Sequence, residues 1–237
     1  MATLEIRRHS LRKDTGGSQL SQAGVELARK LGDSMGPFAV VATSVVPRAR
    51  ETALAMGFAV DQEVVTLASD ADIYAESDAS QWWLADHPFA ALASLINTGG
   101  AYYRYAHSLA ALWRDLLTPL PDQDAALVVG HSGELEAGLV ACFPDADHAS
   151  WGGPFTPCEG ARLTFHNRFC EVDFLRLPPL TDDSCATAYR MGEPSRSGRV
   201  CPVSCIGSRR RRPGAVSFRG SGGFLACPLW PEAAPRS

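Results

Sequence analysis

Apolar residues in this chain form short runs of strand length that alternate with longer stretches of helical periodicity. Four apolar or β-branched runs predict buried strands at residues 3–7, 38–43, 125–129 and 161–165. Strands that alternate with helices predict a single three-layer α/β/α domain with a mainly parallel central sheet. A further run at 162–175 predicts a hairpin that adds edge strands to this sheet.

Helical periodicity recurs in the segments between the strands. Ser21 is positioned to cap a helix in which Val25, Ala28 and Leu31 share one face. The same pattern predicts further helices over residues 48–56, 82–96, 102–117 and 134–142.

The composition changes after residue 180 and divides the chain into two parts. Residues 181–237 hold nine Arg against four acidic residues, a charge of +5, which leaves −9 for residues 1–180 out of the total of −4. We predict a catalytic domain over 1–180 and a disordered tail rich in Arg, Pro, Gly, Ser and Cys over 181–237. Cys201 and Cys205 in the tail lack the further ligands of a zinc site, and no metal is expected.

Charge and hydropathy indicate which kinds of partner and which cellular compartment to expect. The negative charge of residues 1–180 disfavours a nucleic-acid partner, and no apolar run is long enough to cross a bilayer. The N-terminal sequence MATLEIRRHS has no apolar segment after its charges, so we expect a cytoplasmic protein with reduced cysteines. The sequence does not indicate an oligomeric state.

Arginine and histidine residues follow three of the predicted strands. Arg8 and His9 come directly after the first strand. Arg48 opens the helix after the second strand, and His131 lies in the turn after the third. Because ligand sites in open α/β sheets form at the carboxyl ends of strands, these four side chains are predicted to meet at one edge. Arg7 alternates with Arg8 along the strand and should point to the other face.

These elements resemble the histidine phosphatase superfamily, also called the phosphoglycerate mutase-like family, over about residues 4–180. The RHG motif of that family is similar to Arg8-His9-Ser10, and its L-T-x-x-G element is similar to LSQAG at residues 20–24. The family element S-x-x-x-R-A-x-Q-T resembles residues 44–52, with Glu51 in place of Gln. The second histidine of the family falls on His131.

The resemblance implies a phosphatase that needs no metal or cofactor. A neutral His9 would attack phosphorus and form a phosphohistidine, while Arg8 and Arg48 bind the phosphoryl oxygens. His131, if protonated, would add a donor, and amide groups near Gly133 would face the anion. Water then hydrolyses the intermediate. The implied substrate is a small phosphomonoester or a phosphoprotein, and mutase activity is less expected.

The family usually supplies an acidic residue that protonates the leaving group, and this sequence does not identify it. Asp70, Asp72, Glu76 and Asp78 lie in the expected stretch, and none occurs in a copy of the acidic motif. A protein without a dedicated acid would favour substrates with good leaving groups, such as phosphohistidine or acyl phosphates.

Two other functions are compatible with parts of the sequence. Residues 130–134 (GHSGE) nearly match the nucleophile elbow of an α/β-hydrolase, which would make Ser132 the nucleophile with His148 or His166 as base. That hypothesis leaves Arg8, His9 and Arg48 unexplained. A non-catalytic domain that binds a phosphorylated ligand or a partner protein is the second alternative.

Overall fold

The computed structural model describes residues 1–13, 17–69 and 71–178, and these residues form an α/β fold. The strands are β1 (Ala2–Arg8), β2 (Val40–Ser44), β3 (Gln62–Val64), β4 (Ala125–Gly130), β5 (Gly160–His166) and β6 (Arg168–Leu175). The helices are α1 (Gln22–Gly32), α2 (Pro47–Ala55), α3 (Ala71–Ser80), α4 (Pro88–Ile96), α5 (Ala101–Leu117) and α6 (Glu134–Cys142). Short 3-10 helices cover Val65–Leu67, Trp82–Leu84 and His148–Trp151. The prediction of a disordered tail lies outside the described residues.

One six-stranded sheet of order β3-β2-β4-β1-β5-β6 forms the centre of the fold. Strands β1 to β4 pair in parallel, whereas β5 is antiparallel to β1 and β6 is antiparallel to β5. This confirms the mainly parallel sheet, and the hairpin predicted over 162–175 forms its antiparallel edge. Asn167 makes the turn of this hairpin with a φ of 59°.

Helices cover both faces of the sheet, as alternation along β4 shows. Ala126 and Val128 pack into a cluster that includes residues of α4, α5 and α6. Leu127 and Val129 pack on the opposite face against residues of α2. Because successive side chains of a strand point to opposite faces, a strand buried on both faces is continuously apolar, which is the pattern that predicted it.

Two segments differ from the sequence prediction. Residues 82–96 do not form one helix, because the 3-10 helix Trp82–Leu84 is separated from α4, which begins at Pro88. Proline lacks an N–H group and fits the first turn of a helix but not its interior. Helix α3 was not predicted, and the reason is that Ile73 is its one residue assigned as buried, so no apolar stripe marks it.

Among the helices of the described residues, none combines the length and the apolarity needed to cross a membrane. Ser21 caps α1 as predicted, since its hydroxyl accepts a hydrogen bond from the N–H of Gly24.

Candidate active site

The register of the sheet brings the two candidate histidines together. Arg8 at the end of β1 pairs with Gly130 at the end of β4, so the next residues, His9 and His131, are neighbours. The N–H of His9 donates to the carbonyl of Gly130 at 2.9 Å, and the two imidazole centroids lie 5.1 Å apart. Strand β2 lies on the other side of β4, and its end leads into α2, which carries Arg48. The structure therefore brings Arg8, His9, Arg48 and His131 to one edge of the sheet.

A cleft of about 430 Å³ opens at this edge. Its lining contains the four residues predicted to meet there, Ser132 of the α/β-hydrolase alternative, and further residues. The described lining residues are Arg8, His9, Ser10, Leu11, Arg12, Arg48, Tyr74, His131, Ser132, Glu134 and Pro157. Three arginines and two histidines give the cleft positive charge and hydrogen-bond donors, the chemistry that an anion requires.

His9 is held as a neutral imidazole with one ring nitrogen available. Its Nδ1 lies 2.7 Å from the carbonyl oxygen of Ser10, and since a carbonyl can only accept, Nδ1 carries the proton. The lone pair is therefore on Nε2. His9 is 7% exposed, and burial, aided by the charge of Arg48 and opposed by the Ser10 hydrogen bond, lowers its pKa to about 3.

His131 is also neutral and presents a nitrogen without a protein partner. Its Nε2 lies 2.9 Å from the hydroxyl of Ser44, which itself accepts the N–H of Val46 at 3.3 Å. In the tautomer in which the Ser44 hydroxyl donates to His131 Nε2, the N–H of the ring is on Nδ1. Nδ1 is buried with no hydrogen-bond partner among the described residues. Burial and then Arg48 lower the pKa of His131 to about 2, so the imidazole is neutral in the unliganded cleft.

The two predicted arginines of the site, Arg8 and Arg48, each keep a hydrogen-bond donor unused among the described residues. Arg8 donates to the carbonyl of Phe155, and the Nε atoms of Arg8 and Arg48 are buried without partners in the described part of the chain. Arg7 behaves as predicted, because it points away and forms an ion pair with Glu5 at 2.8 Å. Arg50 pairs with Glu63 on the surface.

Hydrogen bonds between the motif elements hold the loop after β1 in place. The N–H of Ser10 donates to Thr52 Oγ1 at 2.9 Å, and the Thr52 hydroxyl donates to the carbonyl of Arg48. The Ser10 hydroxyl donates to the carbonyl of Gly24 at 2.7 Å. A side chain at Gly24 would overlap the carbonyl of Leu11, so the loop and α1 meet at a distance that glycine alone permits.

Comparison with known proteins identifies the fold. The structure is similar to phosphoserine phosphatase from Entamoeba histolytica in complex with 3-phosphoglyceric acid, with TM-score 0.55 and 14% identity over 75% of this chain and 98% of that chain. It is also similar to a mycobacterial glucosyl-3-phosphoglycerate phosphatase in complex with VO3, with TM-score 0.52 and 20% identity over 73% and 97% of the two chains. The chain has the histidine phosphatase fold. By sequence, no family model and no curated protein matches it.

Within this histidine phosphatase fold, the structure places a residue in the cleft that sequence reasoning missed. Glu134 is the first residue of α6, and it lines the cleft while being only 4% exposed. The hydroxyl of Ser69 donates to its Oε1 at 2.6 Å. Burial is the main cause that raises the pKa of Glu134 to about 7. The available signal was the carboxylate three residues after His131 in the GHSGE turn.

The acidic candidates from the sequence take other positions. Glu76 accepts the backbone N–H groups of Ala101 and Tyr102 at 2.6 and 2.8 Å, and thus caps the start of α5. Asp72 and Asp78 lie on α3 and are not among the described residues that line the cleft. Asp70 lies outside the described residues.

A second buried carboxylate organises the turn around His131. Glu136 accepts hydrogen bonds from the Ser132 hydroxyl at 2.9 Å, the Gly133 N–H at 2.7 Å and the Phe155 N–H at 2.8 Å. The Gly133 N–H therefore donates to Glu136 and is not available to an anion, contrary to the expectation from sequence. Because Phe155 also accepts from Arg8, Glu136 joins the turn after β4 to the loop that holds this arginine.

The hydrogen bonds of Ser132 and His148 do not support the α/β-hydrolase alternative. The partner of the Ser132 hydroxyl is Glu136 and not a histidine. His148 Nε2 lies 3.0 Å from the carbonyl of Phe143, and its ring packs edge-on against Trp151 with centroids 4.6 Å apart. His148 is thus a structural residue of the loop at 144–157, in which Pro157 is the residue that lines the cleft.

Proposed function

We propose that this protein is a phosphatase that acts through a phosphohistidine on His9. The observation that carries the proposal is the convergence of Arg8, His9, Arg48 and His131 in one cleft, with His9 Nδ1 bound to Ser10. This hydrogen bond orients the ring and leaves the Nε2 lone pair for attack on phosphorus. The low pKa of His9 keeps that lone pair available at every pH from about 4 upward.

Charge stabilisation during transfer comes from groups that are already in place. The phosphoryl oxygens carry negative charge throughout the reaction, and preorganised donors lower the barrier because they need no reorientation. Arg8 and Arg48 supply guanidinium donors, and His131 supplies Nδ1–H in the tautomer whose Nε2 accepts from Ser44. All three have a buried nitrogen without a partner among the described residues, as expected for groups that bind a substrate.

The cleft suits a small phosphomonoester or the phosphorylated side chain of a protein. Its volume of about 430 Å³ accommodates a phosphoryl group and a short organic group. Two of the similar solved structures, both of the phosphoserine phosphatase from Entamoeba histolytica, hold 3-phosphoglyceric acid or phosphoserine, which are small phosphorylated carboxylic acids. We therefore propose compounds of this size as the first natural substrates to test.

The deciding experiment is hydrolysis of p-nitrophenyl phosphate by the full chain and by His9→Ala, each with and without EDTA. We expect activity that is insensitive to EDTA and lost in His9→Ala. His107→Ala is the matched control, because His107 is an exposed histidine of α5 that packs against Tyr103 outside the cleft. Rapid quenching with labelled substrate should trap an acid-labile, alkali-stable phosphoenzyme.

Two other outcomes of these assays would indicate a different reaction route or a non-catalytic domain. Full activity of His9→Ala would refute the phosphohistidine route. Binding of inorganic phosphate without turnover of any phosphomonoester would indicate the non-catalytic phospho-ligand domain instead.

A further inference from the structure

Departure of an alcohol from phosphorus requires a proton donor in the cleft. The arginines and the neutral imidazoles of the lining hold their protons too tightly, so the candidates among the described lining residues are the carboxyl group of Glu134 and the hydroxyls of Ser10, Tyr74 and Ser132. Ser10 donates its proton to the carbonyl of Gly24, and Ser132 donates its proton to Glu136. Glu134 and Tyr74 therefore remain as possible donors.

The position of Glu134 makes it the better placed of these two groups. It follows His131 by three residues, at the start of α6, so the backbone that positions the second histidine also positions this carboxyl group. Ser69 donates to Oε1, which leaves Oε2 as the oxygen that carries the proton of the neutral acid. Tyr74, on α3, also lines the cleft but is 53% exposed, whereas Glu134 is 4% exposed.

We propose that Glu134 is the general acid of the reaction, an inference that rests on the proposed phosphatase function. His9 Nε2 forms the bond to phosphorus while the bond from phosphorus to the leaving oxygen breaks, and Glu134 transfers its proton to that oxygen. The products of this step are the alcohol, the phosphohistidine and the Glu134 carboxylate. The carboxylate then takes a proton from the attacking water, the N–P bond breaks, and phosphate, neutral His9 and neutral Glu134 are restored.

The charges of the cleft favour the neutral form of the Glu134 carboxyl group when a phosphate dianion is bound. An ionised Glu134 would repel the phosphate dianion, whereas the neutral acid can donate a hydrogen bond to it. Burial already raises its pKa to about 7, and a bound dianion raises it further because a nearby negative charge disfavours ionisation. The charged and titratable groups that act on Glu134 or are acted on by it are Arg8, Arg48, Glu136, Tyr74, Tyr102 and Tyr105.

The test compares two substrates that differ in their need for a proton. The full chain, Glu134→Gln and Tyr74→Phe are assayed for kcat/KM on p-nitrophenyl phosphate, whose leaving group departs unprotonated, and on phosphoserine, whose leaving group does not. General acid catalysis contributes about 10²-fold to 10⁴-fold. We expect Glu134→Gln to lose about 100-fold or more on phosphoserine and less than about tenfold on p-nitrophenyl phosphate. Since kcat/KM reports steps up to departure of the leaving group, a later loss of base catalysis does not disturb this comparison.

Two further readouts distinguish a proton donor from a structural residue. In the wild-type protein, kcat/KM for phosphoserine should fall above about pH 7 as Glu134 ionises, and this fall should disappear in Glu134→Gln. With p-nitrophenyl phosphate, Glu134→Gln should show a burst of nitrophenol and accumulate phosphoenzyme, because the base for the second step is missing. Glu134→Asp keeps a carboxyl group and should recover part of the phosphoserine activity; its result decides the question if the Gln variant does not fold.

The proposal is overturned by equal losses on both substrates, by unchanged phosphoserine activity in Glu134→Gln, or by a loss confined to phosphoserine in Tyr74→Phe. Each of these results leaves His9 as the nucleophile. Failure of the proposed function is recognised separately: the wild-type protein would then turn over neither substrate, or His9→Ala would retain activity on both substrates and so refute the phosphohistidine route.

Discussion

Replacing Glu134 by Gln should make the protein more stable at alkaline pH while it impairs catalysis. The side chain keeps its shape, and the amide oxygen can still accept the Ser69 hydrogen bond. What changes is the ionisation. The unfolded chain releases the Glu134 proton near its ordinary pKa of 4.5, whereas the folded protein retains it up to about pH 7. In this interval the folded state binds more protons, so the wild-type protein loses stability as pH rises.

The magnitude follows from the two pKa values. At about 1.36 kcal/mol per pH unit, a pKa raised from 4.5 to about 7 corresponds to about 3 kcal/mol of lost stability above pH 7. The attraction of Glu134 to Arg48 is already contained in this pKa. Because Gln does not ionise, Glu134→Gln avoids the loss and should be about 2–3 kcal/mol more stable at pH 8. The advantage should shrink towards zero near pH 4.5.

The assay is urea unfolding of both proteins at several pH values between 5 and 8. Urea is uncharged and does not screen the arginines of the cleft, and phosphate buffers are avoided because a bound anion would stabilise the folded state. Glu63→Gln serves as the control, since Glu63 is an exposed partner of Arg50 whose removal should change stability by less than about 1 kcal/mol. A stability difference between wild type and Glu134→Gln that is the same at pH 5 and pH 8 would refute the reasoning.

Three further predictions concern the surroundings of the site. Glu136→Ala leaves three donors without an acceptor and should destabilise the protein by about 3 kcal/mol or more in urea unfolding; a change below about 1 kcal/mol would contradict it. Gly24→Ala should lower both stability and activity, because the added carbon overlaps the Leu11 carbonyl, whereas Gly153→Ala, with no atom nearby, should do neither. For His9, kcat/KM on p-nitrophenyl phosphate should stay nearly level from pH 7.5 to about pH 5.5, where an imidazole of ordinary pKa would lose about tenfold.

Much of the fold was predictable from local patterns. The strands of the sheet centre are buried on both faces and therefore read as continuous apolar runs, and Ser21 and residues 134–142 carried clear helix signals. Helix α3 was missed because its apolar residues form no stripe. The prediction of one helix over 82–96 was wrong for its first part. Pro88 indicated a helix start, but the helical periodicity continued across it and led to a single predicted helix.

Part of the site was predictable for a topological reason. Residues that follow parallel strands meet at one edge of the sheet whatever the details of packing, so Arg8, His9, Arg48 and His131 could be grouped from the sequence. The position of Glu134, the proposed general acid, in the cleft could not be predicted from strand order.

By itself, the sequence determined the layered α/β architecture and the four side chains at the sheet edge, since both follow from periodicity and strand order. Only the tertiary structure decided which nitrogen of His9 is available, that Glu76 caps a helix, and that Glu134 enters the cleft. These properties depend on burial and on hydrogen bonds between residues far apart in the chain, such as the bond from Ser69 to Glu134. A protonation state is set by desolvation and neighbouring charge, and neither is encoded in a local pattern.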